Sequence, residues 1–505
     1  MSDAPTPPDP QEQGAPPKLS HTVVRGVGAS ALGYLGSQAI NLGAYVVLAR
    51  LLVPAEFGVY AAGSILVAAT LLLTNSGISS AVVQRRDRVE EAASTAVVTM
   101  ALTGTGSSLL MLAAAPLIGT IFDSAQIGDV AAALAGTTLI QALGSIPEVM
   151  LQRRFSFLHQ TVVVPAQVIV FAATSIACAA AGLGVWSLVI GQYAAVTTDT
   201  VLNWVLSRWR PSVRLANVAM ARELIAFGRH VFVSMVVSAL PQQLDALIVG
   251  KGFGTAALGQ FRYGFRLAST PYQSLVAAGS YVIYPAFARI SHESERLGAA
   301  FLRSLRWICL LGAPLALALV PLGVPLAVTL FGDVWREAGH AAAAMCMYTL
   351  GAGVISVVGE ALKAAGAPRR MTPIYAIFSG LSIGLMLVMI PAGFTAVALG
   401  LSLGAVGGAL YAIRVATSVF ELDSRELARA TLAPVLAAAV MAGALIPLEA
   451  VLDAAGRGPL PALALLALEG LAGAAIYVAA LRVIQRDALA EIREIASLAR
   501  RRAGT

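Results

Sequence analysis

The stretch Leu48 to Tyr60, LARLLVPAEFGVY, decides how this chain is read. An apolar run meets Arg50. Pro54, Glu56 and Gly58 follow, and a second apolar run opens. A basic residue, a breaker and a restart form the pattern of two helices joined by a tight turn at a membrane surface.

Composition sets the scale on which that pattern repeats. The 505 residues are 58% hydrophobic and only 12% charged, with a mean hydropathy of +0.78. Soluble domains carry about 25% charged residues, and a soluble fold could not hide this much apolar surface. The chain reads as an all-α integral membrane protein.

A spanning helix needs about 20 mostly apolar residues. Fourteen such runs stand near 24–48, 57–82, 92–118, 129–151, 160–182, 184–206, 224–250, 259–287, 303–328, 340–362, 371–391, 394–416, 430–449 and 461–482. Alternate loops collect the basic residues: QRRDRVEE, QRRFSFLH, SRWRPSVRLANVAMARE, ARISHESERLGAAFLRSLR, KAAGAPRR and the stretch from Arg414 to Arg429. Only Arg50, Lys251, Arg336 and Arg457 fall in the other loops, and only Arg229, Arg262 and Arg266 fall well inside runs. The positive-inside rule then places both termini in the cytosol. The +7 net charge is mostly this topology signal. A nucleic-acid partner is not expected, since the basic residues are spread over many loops.

Residues 1–20, Pro-rich and acidic-polar, lack the n- and h-regions of a signal peptide and read as a disordered cytosolic tail. The segment 483–505 repeats apolar residues at Leu489, Ile492, Ile495 and Leu498 and ends on Arg500 to Arg502. That suits a helix lying on anionic inner-leaflet lipids, or a plain solvated helix end. Cys178, Cys309 and Cys346 are scattered through apolar runs without metal-ligand or redox spacing.

The opening stretch has a counterpart, VGKGFGTAALGQFRYGFRLA, at the end of the seventh run. Setting Arg50 on Lys251 brings Gly58 onto Gly259 and Tyr60 onto Phe261 without a gap. Pro54 in one copy, and Gly252 or Gly254 in the other, supply the turn. Runs one and seven leave the same side, so the repeat is parallel. It relates two six-helix lobes, 21–206 and 223–416, by an axis along the membrane normal, a transporter arrangement. The linker is 207–222, and two extra helices occupy 417–482.

Charge inside a bilayer is costly and marks a cavity or a partner. Arg262 and Arg266, four residues apart, share a helix face. They could cradle phosphate with bidentate geometry, or snorkel to headgroups. Arg25 and Arg50 stand at the two ends of the first run. Asp245 could neutralise one arginine or carry a coupling proton or cation. Gln38, Asn41, Gln242 and Gln243 are polar at mid-membrane depth and could contact sugars or bond helix to helix. Glu360 with Lys363 reads as an interfacial ion pair. No GxxxxGKS/T, HExxH or catalytic-triad pattern occurs, and no outer loop could hold a catalytic domain, so no cofactor, metal or enzymatic activity is expected.

The segments from Leu48 to Asp87 and from Leu244 to Gln273 resemble bacterial polysaccharide-exporting flippases. These form the Wzx-like polysaccharide transporter branch of the multidrug/oligosaccharidyl-lipid/polysaccharide superfamily. The resemblance implies a flippase for undecaprenyl-pyrophosphate-linked oligosaccharide in a bacterial inner membrane, working by alternating access. It implies cationic cavity residues at Arg25, Arg50 and Arg266, and a polysaccharide polymerase or chain-length regulator as protein partner. The rivals are a multidrug exporter of the same superfamily, which would favour acidic cavity residues, and a membrane glycan polymerase or ligase, which would need a sizeable outer loop.

Overall fold

The structure is a computed structural model. It describes residues 21–74, 77–154, 158–290, 292–453 and 456–484, and the side chains within them except those of 21–32, 34–35, 71–74, 213, 227–242, 271–286, 288–289, 294, 424 and 459. The two tails, expected to be a disordered segment and an amphipathic helix, lie outside the described residues beyond 21 and 484.

The opening stretch folds as its residues dictate. Helix α1 (His21–Leu51) closes with the Leu52 amide donating to the Leu48 carbonyl. Helix α2 (Pro54–Thr74) starts on a proline, which needs no amide partner at that position. Glu56 reaches back to accept from the Val53 amide at 2.9 Å, which satisfies a donor that the first turn would otherwise leave open.

The described chain continues through α3 (Ile78–Gln84), α4 (Val89–Ile121), α5 (Ala125–Arg153), α6 (Val164–Ala180) and α7 (Trp186–Ser207). Next comes α8 (Val218–Arg289), a 72-residue element bent at Gly254, where φ is 87°. Its start is capped by the Asn217 side chain, which accepts from the Ala219 amide at 2.8 Å. The expected seventh and eighth runs are the two arms of α8, and Gly254 rather than Gly252 makes the turn. Only glycine takes that φ without steric cost.

Then follow α9 (Ser294–Leu317), α10 (Leu319–Phe331), α11 (Arg336–Ala344), α12 (Cys346–Ala364), α13 (Met371–Val388), α14 (Phe394–Phe420), α15 (Ser424–Leu452) and α16 (Pro459–Ile484). Helix α9 begins nine residues before the expected run. The basic loop continues as helix because Leu297, Phe301, Leu305 and Ile308 recur at helical spacing and are all buried.

Among the described residues there are helices and turns but no strand. Among the described residues, eight helices are long and apolar enough to cross a membrane, and α11 and α12, bent by 44° at their break, count as a ninth if the pair is one span. The other five expected runs fall on α1, α2, α7 and the two arms of α8. The chain is a multi-pass membrane protein; fourteen crossings stays the sequence's expectation.

Packing falls into two groups. Helices α1, α2 and α4 to α7 pack on one another, as do α9 to α16, and α8 joins the groups by packing on α2, α4, α11 and α12. Across the join, Gly58 stands so close to Thr255 that a Cβ would lie 1.7 Å from its carbonyl oxygen. A Cβ on Gly259 would lie 2.0 Å from the Pro54 carbonyl oxygen. Arg85, beside the basic end of the bundle, donates twice to Glu223 at 2.9 and 3.2 Å. That pairing holds the Glu223 carboxyl below the usual carboxylate range. Glu360 meets Lys363 at 2.9 Å, the interfacial pair expected.

Candidate functional site

A cavity of about 340 Å³ lies between α1, α2 and the second arm of α8. Helical periodicity builds each wall. Helix α1 gives Gln38, Asn41, Leu42 and Tyr45; α2 gives Phe57, Tyr60, Ala61 and Ser64; α8 gives Arg262, Tyr263, Phe265, Arg266, Ser269 and Thr270. Residues three, four and seven apart share one helix face. The cavity therefore lies between the first helical group and the second arm of α8, the helix that joins the groups.

Two of its lining residues, Phe57 and Tyr263, belong to an aromatic cluster. Phe57 and Tyr263 meet edge to face at 4.7 Å, and Tyr263 and Trp335 lie 4.0 Å apart. The Trp335 indole donates to the Ala49 carbonyl at 2.9 Å. Gln260 bridges the 332–338 turn, donating to the Val334 carbonyl and accepting from the Ala338 amide. These contacts tie α1 and α2 to the α10–α11 corner.

Of the four candidate arginines, the three with described side chains have three different partners. Arg50 is outside the cavity. It donates to the carbonyls of Thr329 and Leu330, groups that the end of α10 leaves without helical donors. Arg262 lies 3.6 Å from Asp245 on the first arm of α8. Arg266 sits over the Tyr45 ring, with its guanidinium carbon 3.2 Å from the centroid. Among the described residues, no acceptor takes its N–H groups.

Arg262 also borders a second, smaller cavity of about 110 Å³, with Gln243, Asp245, Tyr348, Ser379 and Ser382. Asp245 is 8% exposed, and its carboxylate accepts from the Ala246 amide at 2.6 Å.

The structure therefore brings together Gln38, Asn41, Arg262 and Arg266, places Gln243 and Asp245 next door, and leaves Arg50 apart. The side chains of Arg25 and Gln242 lie outside the described residues. The aromatic lining was not singled out from sequence. Its signal was there: Tyr45 continues the Gln38–Asn41 stripe by one turn, and Phe57 and Tyr60 flank Gly58 in the opening stretch. Cavities of this size lined by aromatic rings and a few convergent polar groups are the usual form of a small-molecule site.

Solved structures with this fold include the lipid II flippase MurJ in an inward closed conformation. It aligns at a TM-score of 0.74 and 16% identity over 91% of this chain and 99% of that one. An inward-facing multidrug resistance MATE family transporter aligns at 0.54 and 14% identity over 78% and 96%. Among curated proteins, the succinoglycan biosynthesis transport protein ExoT of Rhizobium meliloti is 25% identical over 63% of this chain and 64% of its own length. The teichuronic acid biosynthesis protein TuaB of Bacillus subtilis is 23% identical over 53% and 56%. The lipopolysaccharide biosynthesis protein WzxC of Escherichia coli is 20% identical over 68% and 70%. The aligned part thus spans less than two thirds of the length of ExoT and TuaB. A family model described as "Polysaccharide biosynthesis protein" matches residues 47–340. That match covers more than half of the sequence and both copies of the repeated turn, so the chain belongs to the polysaccharide biosynthesis protein family.

Proposed function

We propose that this protein is a flippase. It carries an undecaprenyl-pyrophosphate-linked oligosaccharide from the inner to the outer leaflet of a bacterial inner membrane, for exopolysaccharide, capsule or O-antigen assembly. The observation that carries the reading is Arg266, a guanidinium in a cavity between α1, α2 and the second arm of α8, with none of its N–H donors taken by the described residues. A planar fork of that kind suits bidentate capture of a phosphate.

In this reading the basic loops and both termini face the cytosol, and residues 21–206 and 223–416 act as two rocking lobes. In the same reading the aromatic and glycine contacts close the outer side. The pyrophosphate meets Arg266 and then Arg262. Gln38 and Asn41 offer hydrogen bonds to the first sugars, and the polyprenyl chain stays in lipid. Asp245 holds Arg262 until an anion claims it. Among the described residues, the lining of the cavity has two arginines and no acidic residue, which favours an anionic cargo over the cationic drugs of a multidrug exporter. A polysaccharide polymerase or chain-length regulator would act on the product.

The test is Arg266→Ala in a strain lacking the native copy. Surface polysaccharide should be lost and the lipid-linked glycan should accumulate on the inner leaflet, at an unchanged protein level. Normal export by this variant would overturn the reading.

A further inference from the structure

We infer that Tyr45 is the residue that orients Arg266 for the anion, and that the phosphate site is complete only while α1 and the second arm of α8 are held together. The inference rests on the proposed role of Arg266 and adds a residue and a state dependence to it.

The geometry carries the argument. A guanidinium carbon 3.2 Å from a ring centroid must lie flat on the ring, because an N–H pointed at the face would hold the carbon farther away. A flat stack satisfies the cation through its face and leaves all five N–H groups at the edge free. The side chain is thereby fixed before a ligand arrives, so less rotamer freedom is lost on binding.

Tyr45 is itself held in place. Its ring lies 6.0 Å from Tyr263 edge to face and 6.2 Å from Phe171, and its carbonyl accepts from the Tyr263 hydroxyl at 3.3 Å. Of the other two candidate arginines with described side chains, Arg50 spends its donors on the carbonyls of α10 and Arg262 is drawn to Asp245.

Tyr45 stands on α1 of the first helical group, and Arg266 on the second arm of α8, the helix that joins the groups. When the two part at the glycine-packed end, Arg266 loses the ring under it and becomes a mobile side chain. Anion affinity therefore falls in the opened state, and that fall favours release on the far side. Equal affinity in both states would leave the equilibrium between them unbiased.

The experiment measures binding of two probes, inorganic pyrophosphate and farnesyl pyrophosphate, to the purified full chain in detergent. The variants are Tyr45→Phe, Tyr45→Leu, Arg266→Lys and Arg266→Ala, each checked for a native melting profile. Tyr45→Phe keeps a ring face and should bind like the parent protein. Tyr45→Leu should bind both probes roughly tenfold more weakly, as expected for loss of a partly desolvated cation–π contact. Arg266→Lys, a charge without the planar stack, should also weaken both.

If Arg266→Ala abolishes binding while Tyr45→Leu binds normally, the Tyr45 inference fails and the Arg266 reading stands. If Tyr45→Leu weakens only the farnesyl probe, the ring serves the lipid chain and the inference fails. If Arg266→Ala binds as well as the parent, both fail. Spin labels at Val53→Cys and Val334→Cys, two exposed positions near the aromatic cluster, report the state dependence. A probe that binds should narrow their distance distribution toward the closed state. No change on binding would overturn the coupling.

Discussion

Gly259 and Gly58 meet back to back where α8 crosses α2: a Cβ on Gly259 would stand 3.2 Å from the Gly58 amide nitrogen. The contact is reciprocal, because each glycine also faces the carbonyl at the partner's turn, Gly58 against Thr255 and Gly259 against Pro54. Residues that correspond in the repeat touch each other, as self-complementary contacts about a two-fold axis do.

That crossing should not tolerate a side chain. Gly58→Val or Gly259→Val requires movement of backbone, since the clashing atoms are carbonyl oxygens. The label distance between positions 53 and 334 should lengthen, and export should fall well below half. An unchanged distance would show that the crossing is looser than described.

Arg262 and Asp245 should behave as a pair. Arg262→Ala leaves a carboxylate of 11% side-chain exposure without its cation. The loss is about 2 kcal/mol, less than for a fully dry pair because Arg262 is partly solvated. Asp245→Asn in the same molecule should restore most of the melting temperature. If the double variant melts no higher than Arg262→Ala alone, the pair does not carry that energy.

Arg50→Ala removes two donors from the end of α10 but none from the cavity. A cost of about 1 kcal/mol in stability is expected, with pyrophosphate binding retained. Loss of binding would return Arg50 to the site.

Glu469 of α16 is fully buried, and neither of its carboxylate oxygens has a hydrogen-bond partner among the described residues. A buried polar group without partners is destabilising. Glu469→Leu should raise thermal stability by about 1 kcal/mol and leave export intact. A lower melting point would mean that the carboxyl is paired in the membrane.

Much of the fold was legible in local sequence. The Arg–Pro–Glu–Gly turn that ends α1 and opens α2 is chemistry within a few residues: a missing amide at Pro54, a returning carboxylate at Glu56 and a small residue at Gly58. The basic start of α9 was harder, since polar residues hid the four-residue spacing of Leu297, Phe301 and Leu305. For the site, a face shared by Arg262 and Arg266 was readable because helical period fixes it.

The sequence by itself determined an all-helical, multi-pass membrane chain, a repeated turn, and which arginines stand inside or at the ends of apolar runs. The causes are local: hydropathy over one span, loop charge, and turn chemistry do not depend on neighbours. Only the tertiary structure decided what each arginine meets. Arg50 finds the carbonyls of α10, Arg262 finds Asp245, and Arg266 finds the ring of Tyr45. The first and last of these contacts join helices far apart in the chain, α1 with α10 and α1 with the second arm of α8. A long, flexible cation is placed by whatever acceptor or ring the packing brings within reach, and that is set by how whole helices cross, which no short stretch of sequence encodes.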